Sequence, residues 1–188
     1  VESARVDYSP YLNNGDDTSA AIGFQGNFAS ISVTSDAAHV VGPDGINNRI
    51  QEAIAATSVG GIISIASGTY ANNVNVNKAV NLRGEFTVGG SLTTTAVGAS
   101  ISPGNSPGII NSGNLTLGPG STTNMELNGT TVGTQYDQLN VTGTVNISPS
   151  AALNVSLGFT PTVGNSFTII NNDGGEAVTG TFAGLPQG

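Results

Sequence analysis

Beyond residue 60 the apolar residues of this chain come mostly in very short sets at a spacing of two, the sets separated by Gly, Pro, Asn or Ser corners. The sets are Val74/Val76, Val80/Leu82, Phe86/Val88, Leu115/Leu117, Met125/Leu127, Leu139/Val141, Val145/Ile147, Leu153/Val155/Leu157 and Phe167/Ile169. A spacing of two places side chains on one face of a strand. The corners are equally explicit. "ISPGNSPGII" at 101–110 holds two Pro-Gly turns, where Pro fixes φ and Gly supplies a positive φ. Many short strands can make a sandwich, a barrel or a solenoid. Sets with only two inward residues fit the rungs of a solenoid better than sandwich strands. The abundance of Asn points the same way, because stacked Asn amides bond from rung to rung. The expected fold is all-β, a right-handed parallel β-helix (β-solenoid) over about residues 62–185.

Before residue 60 the pattern is different. "DGINNRIQEAIAATS" (44–58) carries Ile46, Ile50 and Ile54 at i, i+4 and i+8, one apolar stripe of a helix over 46–58. Asp44 is placed to cap its start and Gly60-Gly61 to stop its end. A solenoid exposes strand edges and its interior at both ends; a helix leading into the first rung would cover the N-terminal mouth. Residues 1–43 read as an extended, weakly periodic arm. It contains one strand-like piece, Phe28–Val33, and the aromatics Tyr8, Tyr11, Phe24 and Phe28, which need a surface to lie on. The division expected is therefore an arm over 1–43, then a capping helix and β-helix over 44–188.

Composition excludes several partners. Only 9% of residues are charged, the net charge is −8, and the basic residues are Arg5, Arg49, Lys78 and Arg83; about 25% charged is usual. There is no basic footprint for nucleic acid or anionic lipid. There are no cysteines, so no disulfide framework and no thiolate metal site. No apolar run approaches the ~18 residues of a membrane span, and "VESARVDYSP" shows no apolar core of a leader. Scarce Lys with abundant Asn, Thr and Gly points to an extracellular or bacterial cell-surface setting.

The stretch "INNRIQEAIAATSVGGIISIASGTYANNVNVNKAVNLRGE" resembles the start of secreted right-handed parallel β-helix proteins, in which a helix of this type leads into the first rungs. The likeness covers about residues 44–86. Residues 101–186, with "SPGNSPGII", "GNLTLGPGS", "QYDQLNVTGT" and the closing "GTFAGLP", resemble the repeat regions of bacterial autotransporter passengers. The resemblance implies the fold. It implies no single activity, because such passengers include adhesins, enzymes and plain stalks. In the family one or two more strands follow the closing motif, whereas here the sequence ends at Gly188.

Candidate chemistry is sparse. "NNGDD" (Asn13, Asn14, Asp16, Asp17) and "NNDGG" (Asn171, Asn172, Asp173) offer hard oxygen ligands for calcium beside glycine; neither has the spacing of a known calcium repeat, and Asn/Asp turns explain both. Calcium at Asn13, Asp16 and Asp17 is the one cofactor expectation. His39 has no partner histidine, and Arg83 and Lys78, near Glu85, read as solvated outer-face residues rather than a lyase base. Tyr136 and Asp137 read as a rung corner. No carboxylate pair lies along the rungs, which weighs against a polysaccharide lyase or hydrolase. Aromatics make up 5% with no Trp, which weighs against an adhesive glycan-binding module. The remaining expectation is a structural, non-enzymatic module, a fibre subunit or a stalk segment. Ile46, Ile50 and Ile54 would cap one end. The arm, through Tyr8, Tyr11, Phe24 and Phe28, would cover the last rungs of the next copy head to tail, unless a longer parent chain covers them.

Overall fold

The computed structural model describes residues 28–33, 49–173 and 175–186. Ile46, Tyr8, Tyr11, Phe24, His39 and the calcium candidates Asn13, Asp16 and Asp17 lie outside them.

The chain begins with strand β1 (Phe28–Val33), helix α1 (Arg49–Ala56) and strands β2 (Thr57–Ile65), β3 (Thr69–Tyr70) and β4 (Val74–Val76). Four similar triplets follow: β5 (Asn81–Gly84), β6 (Phe86–Val88) and β7 (Leu92–Thr94); β8 (Ser100–Pro103), β9 (Ile109–Ser112) and β10 (Leu115–Leu117). Then come β11 (Thr122–Leu127), β12 (Gln138–Val141) and β13 (Val145–Ile147), and last β14 (Ala152–Leu157), β15 (Ile170–Asn172) and β16 (Val178–Gly180).

Each triplet gives one strand to each of three sheets, and the pairing between named strands is parallel throughout. Sheet A runs β1-β2-β5-β8-β11-β14, sheet B β3-β6-β9-β12-β15 and sheet C β4-β7-β10-β13-β16. Every strand from β2 onward thus lies beside the strand three elements away, and we refer to each triplet as a tier. This order is compatible with a β-solenoid.

Alternation decides what faces inward. In sheet A the column Ile31, Ile63, Leu82 and Ile101 is in register and buried. In sheet C the column Val74, Leu92, Leu115 and Val145 is at most 1% exposed. In sheet B, Phe86, Ile110 and Leu139 stack likewise, and Tyr70 meets Phe86 edge-on with centroids 6.2 Å apart. All these residues belong to one apolar cluster.

The polar residues between them form ladders on the outer faces. In sheet B, Asn111 Nδ2 donates to Thr87 Oγ1 (3.2 Å), Asn140 Nδ2 to Asn111 Oδ1 (3.1 Å) and Asn171 Nδ2 to Asn140 Oδ1 (3.3 Å). The corner into sheet C uses another device: Asn73 Oδ1 accepts from Ser91 N and Asn114 Oδ1 from Thr144 N. A Cβ on Gly90 or Gly143 would lie 2.2 or 2.3 Å from those same Asn oxygens, so glycine is required where the amide of the tier before crosses.

Several expectations need correction. The described helix, Arg49–Ala56, ends at Ala56 rather than at 58, and β2 starts at Thr57 rather than at 62. Gly60-Gly61 does not stop the helix. The helix end is satisfied instead by Thr57 Oγ1 donating to Ala53 O (2.7 Å) and Lys78 Nζ donating to Ala55 O (2.6 Å) and Thr57 O (2.8 Å). The glycines form a bulge inside β2, where the partner register jumps from Phe28↔Thr57 to Ser30↔Ile62. A Cβ on Gly61 would meet Thr57 Cγ2 at 2.4 Å and Ala29 O at 2.8 Å.

The strand expected within the arm, Phe28–Val33, pairs with β2 of its own chain, with Ile31 and Val33 in the core. The side chains of Ile31 and Val33 are therefore not available to a neighbour. Finally, Phe167 is not in a strand. Sheet B resumes at Ile170, and Phe167 packs edge-on against Tyr136 (5.3 Å) and Phe159 (6.0 Å).

Candidate functional site

The corners between sheets B and C and between C and A stay short along most of the chain. The corner from A to B does not. It takes residues 66–68, then Glu85 alone, then 104–108, 128–137 and 158–169. Insertions on a repetitive scaffold gather where a loop can grow without disturbing the stacking, and such loops carry most binding functions. A groove of about 340 Å³ lies beside this corner on the outer face of sheet A, floored by residues of β5, β8, β11 and β14 and edged by Gly104 and Asp137.

Its floor is a polar ladder. Ser102 Oγ donates to Asn81 Oδ1 (3.1 Å), Asn124 Nδ2 to Ser102 Oγ (3.0 Å) and Asn154 Nδ2 to Asn124 Oδ1 (3.0 Å). Arg83 stands in register with Ser102. Its Nη2 donates to Asn105 O at 3.3 Å, while its Nε is buried without a hydrogen-bond partner. It is half-buried on the groove floor rather than freely solvated.

Two carboxylates line the same groove, Glu126 and Asp137. Asp137 is 1% exposed. Its Oδ1 accepts from Gly108 N (2.8 Å) and its Oδ2 from Glu126 N (2.7 Å), tying two corner loops to β11. Burial raises its pKa to about 6, helped by the charge of Glu126 and opposed by the two backbone N–H groups. Raised carboxylates mark many active sites, but both oxygens of Asp137 are held by backbone donors and the side chain is covered. Asp137 thus holds the corner loops to β11. Reading the sequence as a rung corner placed Asp137 correctly and missed its partners. The one available signal was an acidic residue between Tyr136 and Leu139, where a corner residue with apolar flanks tends to point inward.

Around α1, Ile50 and Ile54 are fully buried, and the helix packs on β1, β2 and β4. Gln51 lies along the edge of β4: its Nε2 donates to Asn75 O and its Oε1 accepts from Asn75 N, both at 3.0 Å. One side-chain amide thus stands where a further strand would pair. Lys78, bonded to the helix end, has its pKa lowered by burial.

At the other end the picture reverses. Val155 and Leu157 are 41% and 60% exposed and Val178 is 40% exposed, although their register partners Met125, Leu127 and Val145 are buried. At the second calcium candidate, Asn171 continues the sheet B ladder and Asp173 Oδ1 accepts from Gly175 N, as in an Asx turn. Among the described residues no three His, Cys, Asp or Glu side chains group as metal ligands, and no helix is long and apolar enough to cross a membrane.

No protein-family profile, curated protein or solved structure matches the chain.

Proposed function

We propose that this chain is a structural, self-associating module of an extracellular or bacterial cell-surface protein. In this reading the three sheets wind as a right-handed parallel β-helix, with α1 as the cap of its N-terminal mouth. Parallel strands joined through crossovers are right-handed in nearly all cases, and the i-to-i+3 strand order supports a coil. The observation that carries the function is the exposed last tier. β14, β15 and β16 are sheet edges, and the inward positions Val155, Leu157 and Val178 are uncovered. Unpaired parallel edges beside an open apolar mouth are a template for a further chain.

The occupant is the arm of the next copy, residues 1–27 with Tyr8, Tyr11 and Phe24, docked head to tail. Such a contact is heterologous and does not close, so it builds a fibre. The low charge and absent cysteines support the surface setting. Negative-stain electron microscopy of the full chain, and of a chain lacking residues 1–27, tests the assembly. The full chain should form fibres. The shortened chain keeps β1 and should stay folded without assembling. If instead the full chain stays as discrete particles at high concentration, a continuation of a parent chain is what covers the last tier.

A further inference from the structure

The groove lies on the outer face of sheet A, and although it shares β14 with the proposed assembly edge, most of its floor belongs to β5, β8 and β11. Arg83 offers five N–H donors in a fixed plane. One of them, Nε, is buried with no acceptor, and Nη2 reaches Asn105 O at a long 3.3 Å. Nε has almost no accessible surface, so an anionic oxygen entering the groove would meet the guanidinium through its other N–H groups, where a charge-assisted bond is roughly twice as strong as a neutral one. Beside it the amides of Asn124 and Asn154 and the hydroxyl of Ser102 are joined along the column. Each Asn amide has a second N–H beyond the one used in the ladder. Their spacing is that of adjacent strands, about 4.8 Å, comparable to the length of a sugar ring. Glu126 lies in the same groove, two residues further along β11 than Asn124. It accepts from hydroxyls and repels a second anion.

We propose that this groove binds a hydroxyl-rich ligand carrying a single oxyanion, the carboxylate or sulfate of one acidic sugar, with the anion seated on Arg83 and ring hydroxyls on the Ser102–Asn124–Asn154 ladder. A ligand charged on every ring is disfavoured, because it would set a second anion against Glu126.

Titration of the full chain by calorimetry or NMR with glucuronate, glucose 6-sulfate, glucose and inorganic sulfate tests this. Glucuronate or glucose 6-sulfate should bind in the millimolar range, and whichever is tighter identifies the anion. Glucose should bind at least about tenfold more weakly, and Arg83→Gln should lower the affinity for the acidic sugar by at least about tenfold. Glu126→Gln should tighten it. If Arg83→Gln fails to fold, Arg83→Lys, which keeps the charge and loses the planar fork of donors, must show the loss instead. Glucuronate and glucose 6-sulfate binding no tighter than glucose, or an unaffected Arg83 variant, would overturn the proposal. So would inorganic sulfate binding as tightly as the sulfated sugar, since the ladder would then contribute nothing.

Discussion

The two ends of the tier stack are built from the same kinds of residue and differ in what covers them. At the first tiers Ile50 and Ile54 lie over β1, β2 and β4 and are 0% exposed, and Gln51 satisfies the edge of β4. At the last tier Leu157 occupies a position in register with buried Leu127, yet is 60% exposed. Alternation makes a side chain point inward; burial needs a further layer beyond it. The N-terminal end has that layer in its own chain. Among the described residues the C-terminal end does not.

The largest effect should come from removing that layer. Ile54→Asp places a charge in the core beneath the helix, and urea denaturation should show loss of the native fold or destabilisation beyond that of Ile54→Ala. The alanine variant should lose about 2–5 kcal/mol. If both are as stable as the parent, the helix covers nothing that matters.

A second test lies between the ends, where Asp137 pins the corner loops. Its folded pKa of about 6 lies above the ordinary 3.8, so its contribution to stability is full below about pH 3.8 and is lost as the pH rises through about 6. The loss should be on the order of 2–3 kcal/mol. Urea unfolding of the parent and of Asp137→Asn at pH 3.5 and pH 7 measures it: the parent should lose this increment relative to the Asn variant at the higher pH. An identical pH dependence in both would remove Asp137 as the cause.

A smaller effect is expected in the ladder. Asn140→Ala breaks the bonds to Asn111 and Asn171 and should cost about 1 kcal/mol, since a net hydrogen bond contributes about 0.5–1.5 kcal/mol. The smallest belongs to the open end. Leu157→Ala in the dilute, unassembled chain should cost less than about 1 kcal/mol, because a mostly exposed side chain gains little from folding. A loss matching Ile54→Ala would mean that the last tier is already covered.

Much of this was legible in the sequence, for an identifiable reason. Pairs such as Val74/Val76 and Leu115/Leu117 report a local property, the strand period, and each falls in the strand and on the face that its alternation implied. The Ile50/Ile54 stripe is equally local. What could not be read is the register between distant residues. Gly60-Gly61 looks like a helix stop until β1 arrives beside it. Asp137 looks like a corner residue until it bonds Gly108, 29 positions earlier. The Arg83 groove arises only because β5, β8, β11 and β14 come side by side, and no short motif records that. Phe167 was misplaced because it follows the alternation of Ile169 while packing in a loop against Tyr136.

If the open last tier is an assembly surface, sedimentation velocity over a concentration series shows it directly. The parent chain should shift to larger, open-ended species as concentration rises. The Val155→Asp/Leu157→Asp variant should remain a monomer with an unchanged melting temperature. A parent that stays monomeric at every concentration, or a variant that assembles as the parent does, would contradict it.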